Sequence, residues 1–253
     1  MRLYYGFEDL PPLRTPICTM GSFDGVHRGH QTLLSRCCDY SQQGAGESVV
    51  LTFEPHPRIV LGHGEGLRLL TTLTEKRYIL EDIGIDNLIV IPFSEEFSRL
   101  CHSDFIEEYL LNRVNTHTLL MGYNHSFGRK DNQHNKPPLE DLKERYNFNV
   151  ERLKEWQHNH HKIKVSSTTI RNLIAQGEVR EACELLGRGY LVVATLAGDN
   201  IYTAPTLKLL PPQGRYEAII DSRREVVTVT QRGEIVLNNP MGEEVKVEIL
   251  NSF

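Results

Sequence analysis

Short apolar runs alternate with longer amphipathic stretches over the first two-thirds of the chain. Residues 16–20 (PICTM) read as a buried strand, and Leu33, Leu34, Cys37 and Cys38 then recur at helical spacing. Residues 48–53 (SVVLTF) predict a second strand, stopped by Pro55 and Pro57. Residues 87–93 predict a third strand, 118–121 a fourth ending at Gly122, and 148–153 a fifth. Between them, Thr72-x-x-Glu75 has the form of a capping box opening a helix that ends near Gly84. Ser103 stands where it could cap a helix carrying Phe105, Ile106, Tyr109, Leu110 and Val114 on one face, and 137–146 reads as another helix. Strands alternating with helices imply right-handed βαβ crossovers and a mostly parallel sheet. Such sheets bind ligands at the carboxyl ends of their strands. The loops starting at Gly21, Glu54 and Gly122 all follow strands, so they should converge on one edge.

The pattern changes toward the carboxyl end. Two short helices are predicted over 168–175 and 178–186. After Gly187, Arg188 and Gly189 come strand-like runs at 190–196, 216–221, 225–231 and 245–250, several alternating with period two, with no helix between them. The expected architecture is an α/β domain over 1–187, with a Rossmann-like parallel sheet, and a small all-β domain over 188–253.

Composition narrows the function. The chain has 253 residues, and 28 Lys and Arg against 33 Asp and Glu give a net charge of −5. That balance argues against a general nucleic-acid binder. With 40% hydrophobic and 24% charged residues the chain can bury a core. No apolar run approaches the roughly 18 residues of a membrane span. The first ten residues lack the pattern of a secretory signal, so the expected location is the cytoplasm. The five cysteines (Cys18, Cys37, Cys38, Cys101 and Cys183) form no C-x-x-C pair and are expected to be reduced and mostly buried.

Four segments carry candidate chemistry. The first is GSFDGVHRGH at 21–30, with an H-x-G-H core at a strand-to-helix turn. Its glycines permit close approach to a ligand, and the helix start offers unpaired N–H groups and a positive dipole end. His27 and His30 can address one phosphate; a metal pair is the weaker reading, because no third ligand is evident. The second is VSSTTIR at 165–171, where hydroxyls and N–H groups at a helix start, with Arg171, make an anion site that is equally an ordinary N-cap. The third, FEPHP at 53–57, fixes His56 between two prolines. The fourth, GYNHSFGR at 122–129, could grip a planar ring and a phosphate. No nicotinamide-type G-x-G-x-x-G, P-loop or G-x-S-x-G elbow is present.

Taken together, and in this order, the four motifs resemble those of the bacterial bifunctional riboflavin kinase/FMN adenylyltransferases, or FAD synthetases, over about residues 18–187. The resemblance implies a nucleotidyltransferase fold and transfer of AMP from ATP to FMN, giving FAD and pyrophosphate. It implies catalytic roles for His27, His30 and Arg171. Gly21, Phe23, Gly25, Gly29, Ser166, Ser167 and Thr168 would bind ATP, and Asp24, His56, Asn124, Phe127 and Arg129 would bind FMN. Mg²⁺ would be held mainly through the ATP phosphates. His125 departs from the family, which commonly has Phe there. The implied partners are ATP and FMN, with no nucleic acid and no membrane.

The resemblance weakens in 188–253. Where the family's kinase module has P-T-A-N, this chain has Pro205, Thr206, Leu207 and Lys208. A charged lysine cannot ligate Mg²⁺. The kinase's catalytic glutamate has no secure match (Glu234 is a poor one), and its closing helix has no counterpart before Phe253. The expectation is a shortened kinase-like β domain without riboflavin kinase activity. The alternatives are a nucleotidyltransferase acting on another small phosphate and a flavin- or nucleotide-binding protein without turnover.

Overall fold

The computed structural model describes residues 1–62, 64, 66–122, 139–154, 165–239 and 241–253. The chain forms two compact units. One comprises Met1–Phe23, His30–Gly66 and Leu80–Glu155; the other comprises Asp24–Gly29, Leu67–Ile79 and Trp156–Phe253.

The first unit is built on a six-stranded sheet: β1 (Arg2–Tyr5), β2 (Pro16–Met20), β3 (Glu47–Glu54), β4 (Asn87–Pro92), β5 (Thr118–Met121) and β6 (Asn149–Arg152). The order is β1-β4-β3-β2-β5-β6 and every pairing is parallel. All five residues of β2 are buried, as expected for a central parallel strand covered on both faces. Strand order reverses between β2 and β5, so the loops after them leave the sheet at its switch point. The five strands read from the pattern are present. β1 escaped the pattern because, as a half-exposed edge strand, it has no buried run.

Helix α1 (Arg28–Gln43) follows β2 and buries the predicted stripe of Leu33, Leu34, Cys37 and Cys38. A one-turn helix, α2 (Pro57–Val60), follows β3. Helix α3 (Leu73–Ile83) opens on the predicted capping box. Thr72 N–H donates to Glu75 Oε2 at 2.8 Å, and Glu75 N–H to Thr72 Oγ1 at 3.3 Å. Another single turn, α4 (Glu95–Ser98), follows β4. The expectation for Ser103 is corrected. Helix α5 (His102–Phe105) starts before it, and the sulfur of Cys101 takes the cap position, accepting from Asp104 N–H at 3.4 Å. The helix continues as a π-helix over Ile106–Arg113, and Phe105, Ile106, Leu110 and Val114 are buried as the stripe requires. Helix α6 (Leu139–Tyr146) precedes β6.

In the second unit, α7 (Ser167–Gln176) and α8 (Val179–Leu186) lead into a closed barrel. Its strands are β7 (Tyr190–Gly198), β8 (Ile201–Thr203), β9 (Gly214–Ile220), β10 (Arg223–Val229), β11 (Glu234–Val236) and β12 (Glu244–Ser252). Neighbours run β10-β11-β8-β7-β12-β9, with β9 pairing β10 to close the ring, and all are antiparallel. Closure leaves no exposed sheet edge. Val192, Ala194, Tyr202, Ala218, Ile220, Val227, Ile235, Val247 and Ile249 fill the interior at alternating positions, and Leu70, Ile170, Ile174 and Leu186 belong to the same core. The predicted strands are present. β8 and β11, with three residues each, are too short to show a period-two signal. Among the described residues no helix is long and apolar enough to cross a membrane.

Candidate active site

The loop over 21–30 leaves the end of β2 and runs into α1. Its first part belongs to the sheet unit. Gly21 N–H donates to Leu51 O at 3.0 Å, and the buried Phe23 ring meets the His30 imidazole edge-on, with centroids 5.3 Å apart. The loop then needs left-handed backbone at Phe23 (φ 46°), Gly25 (φ 83°) and Val26 (φ 39°). At Gly25 the left-handed φ favours glycine, and a Cβ would lie 2.8 Å from Leu70 Cδ1, so that side chain would have to shift.

In the second unit Asp24 is the hub. Its side chain is buried, and both carboxylate oxygens are committed inside the protein. Oδ1 accepts from Leu70 N–H at 2.9 Å and Thr71 N–H at 3.0 Å; Oδ2 accepts from Arg171 Nη2 at 2.7 Å. The Asp24 carbonyl accepts from the Ser167 hydroxyl at 2.8 Å. Arg171 Nε donates to Arg68 O at 2.9 Å, so two of its three nitrogens are anchored and Nη1 remains on the edge taken by neither partner. Thr71 Oγ1 accepts from Gly25 N–H at 3.0 Å. The two strongest motifs are therefore joined: the glycine-rich loop meets the start of α7 through Asp24, Ser167 and Arg171. This ion pair is well shielded, with side chains 14% and 4% exposed, which strengthens it relative to a surface pair.

The start of α7 divides its hydroxyls between two tasks. Ser166 is the N-cap, its Oγ accepting from Thr169 N–H at 3.1 Å. Ser167 is turned onto Asp24, while Thr168 is exposed at the first turn. Free N–H groups at such a helix start favour an anion.

His27 is 7% exposed, and burial pushes its pKa down from the ordinary 6.5 to about 4, so the imidazole is neutral at physiological pH. Between those two values the unfolded chain binds the extra proton and the folded chain does not. The stabilisation is therefore complete above pH 6.5 and is lost as the pH falls toward 4. Acidification from pH 7 to 5 is expected to cost about 2 kcal/mol through this group alone. Urea unfolding of the parent and His27→Gln at the two pH values checks this: the variant should lose less by about that amount, and equal losses would contradict it.

The sequence missed Arg188, whose guanidinium donates to Gly25 O at 2.8 Å, Val26 O at 3.2 Å and Leu186 O at 3.3 Å. Its one signal was its place between two glycines after a helix. Burial lowers its pKa to about 10, which leaves it charged at neutral pH. It also missed Leu70 and Thr71, which contribute backbone N–H groups and so leave no mark on side-chain patterns.

Of the residues expected at the flavin, two are described: Asp24, whose carboxylate oxygens are taken by Leu70, Thr71 and Arg171, and His56. His56 caps α2 in the sheet unit, its Nδ1 accepting from Arg58 N–H at 3.2 Å. Asn124, Phe127 and Arg129 lie outside the described residues, as does His125.

A family profile described as FAD synthetase matches residues 11–169, more than half of the chain. The chain belongs to the FAD synthetase family. Among its relatives is the bifunctional riboflavin kinase/FMN adenylyltransferase of Buchnera aphidicola subsp. Schizaphis graminum, 32% identical over 201 residues, which cover 79% of this chain and 64% of that one. The protein of the same description from Listeria monocytogenes is 31% identical over 186 residues, 73% of this chain and 58% of that one. The chain thus spans less than two-thirds of the length of these bifunctional family members. A protein described as FAD synthetase, also from Listeria monocytogenes, is 31% identical over 208 residues, 81% of each chain. A crystal structure described as a macrolide-efflux protein from Streptococcus pneumoniae superposes with a TM-score of 0.80 at 24% identity, over 100% of this chain and 90% of that one. At that identity the likeness shows the shared fold.

Proposed function

We propose that the chain is an FMN adenylyltransferase: a phosphate oxygen of FMN attacks the α-phosphorus of ATP, the Pα–O bond to the β-phosphate breaks, and FAD and pyrophosphate form. The observation that carries this reading is the Asp24–Arg171–Ser167 junction between the glycine-rich loop and the start of α7. The nucleophile is already an anion, so the protein needs no serine or cysteine nucleophile. Its work is positioning and charge stabilisation. Arg171 offers its remaining edge to the β- and γ-phosphates, beside the helix-start N–H groups and the Thr168 hydroxyl; Ser166 and Ser167 hold the backbone that presents them. His27, as a neutral imidazole, and His30 donate to the α-phosphoryl oxygens as charge builds there. Gly21, Phe23, Gly25 and Gly29 shape the loop around the nucleotide. Asp24 acts on the substrates through Arg171. His56, Asn124, Phe127 and Arg129 are assigned to FMN.

Among the described residues no group of three His, Cys, Asp or Glu side chains could hold a metal ion, and the loop's carboxylate is committed to Arg171. The described residues therefore offer no all-protein cage for Mg²⁺, and we assign the cation to the substrate as MgATP. We assign 1–187 to adenylyl transfer and 188–253 to a kinase-like barrel without riboflavin kinase activity. ATP and FMN are the proposed partners, with no nucleic acid and no membrane, and the cytoplasm is the proposed location. Incubation of the pure chain with MgATP and FMN should give FAD and pyrophosphate. Pyrophosphate release with nicotinamide mononucleotide, pantetheine phosphate or glycerol phosphate, and none with FMN, would overturn the reading.

A further inference from the structure

Within the second unit, residues 206–209 run along residues 68–71. Leu69 N–H donates to Leu207 O at 2.7 Å and Leu209 N–H to Leu69 O at 2.8 Å, making a parallel bridge between Leu69 and Lys208. The Arg68 guanidinium donates to Thr206 O. The same short segment supports the phosphate residues: Arg68 O holds Arg171 Nε, and the Leu70 and Thr71 N–H groups hold Asp24.

Lys208 ties the layers together. Its side chain is wholly buried, 4.2 Å over the Tyr190 ring. Nζ spends its three donors on Leu70 O at 2.6 Å, Leu191 O at 2.6 Å and Glu75 Oε2 at 2.8 Å. The other oxygen of Glu75 accepts from Val193 N–H on β7 at 2.9 Å. Leu70 is thus held at both of its polar groups, the carbonyl by Lys208 and the N–H by Asp24. An uncharged side chain of similar length could fill the space but could not satisfy three acceptors.

We propose that Lys208 is a positioning residue for adenylyl transfer: it locks Leu70 and Glu75 to β7, fixes the 68–71 backbone, and so sets the orientation of Asp24 and Arg171 toward the triphosphate. The barrel then serves the transfer reaction as a template. This rests on the assignment of Arg171 to the ATP phosphates.

The test uses the full chain and calorimetric binding of ATP and of AMP, each without FMN, for the parent, Lys208→Met and Lys208→Met/Glu75→Gln, at a temperature where circular dichroism shows each folded. Both variants should bind ATP at least tenfold more weakly and AMP within twofold of the parent, and KM for ATP should rise accordingly. A purely structural lysine would lower Tm and the active fraction and leave the ATP-to-AMP ratio unchanged; that result would overturn the proposal. If the single variant does not fold, the double variant, which leaves no unpaired buried charge, decides. The parent supplies an independent reading. ATP, and not AMP, should slow amide hydrogen exchange in a peptide spanning 67–72, and no difference between them would overturn the proposal. A parent that binds ATP yet makes no FAD counts against the FMN assignment alone, whereas one that does not bind ATP overturns both.

Discussion

Replacing Arg171 by alanine should lower kcat/KM for ATP by a factor of about 10² to 10³. Loss of one preorganised donor to a developing phosphoryl charge typically costs about 3 kcal/mol. Here the guanidinium is held by two anchors, Asp24 Oδ2 at 2.7 Å and Arg68 O at 2.9 Å, so little reorganisation remains for the reaction itself. The substitution also strips Asp24 of its counter-charge, which loosens the loop that carries His27. Arg171→Lys should recover only a small part of the rate, because one ammonium cannot reproduce a planar fork that grips two protein oxygens and still presents an edge to the ligand. Steady-state kinetics with varied ATP at saturating FMN checks this. A loss below tenfold for the alanine variant, or full rescue by lysine, would show that Arg171 is only a cap on Asp24.

The second large effect concerns stability. Lys208→Met should destabilise the protein by about 3–5 kcal/mol, the usual consequence of leaving one member of a buried ion pair without the other. Both side chains of the Lys208–Glu75 pair are fully buried. Burial already presses the lysine pKa below its ordinary value, with the nearby Glu75 acting in the opposite direction, so the pair persists through its partner and its hydrogen bonds. Lys208→Met/Glu75→Gln removes both charges while keeping an acceptor oxygen for Val193 N–H, and should recover most of the loss. Denaturant unfolding of the parent, both single variants and the double variant gives the coupling energy. Additive single effects would contradict a coupled pair.

Much of this organisation was legible in the sequence where one physical signal dominated. β2 and β3 are buried on both faces and so appear as largely apolar runs; the barrel strands alternate because one face fills the interior. The GSFDGVHRGH and VSSTTIR motifs marked the residues that meet at Asp24, because strained turns and helix starts demand particular residue types. Three kinds of feature left no such trace. Backbone groups such as the Leu70 and Thr71 N–H carry no side-chain signature. Cys101 takes a cap position through a sulfur, a weak acceptor seldom sought there. Lys208 read as a lost metal ligand, and its gained role depends on three acceptors, at residues 70, 75 and 191, that only the fold brings together.

The most direct test is a paired chromatographic assay of the pure chain with MgATP, one sample given FMN and the other riboflavin. Conversion of FMN to FAD with an equal yield of pyrophosphate, and riboflavin left unchanged, is the predicted result. Formation of FMN from riboflavin would contradict the reading of the barrel, and no FAD from FMN would contradict the central claim.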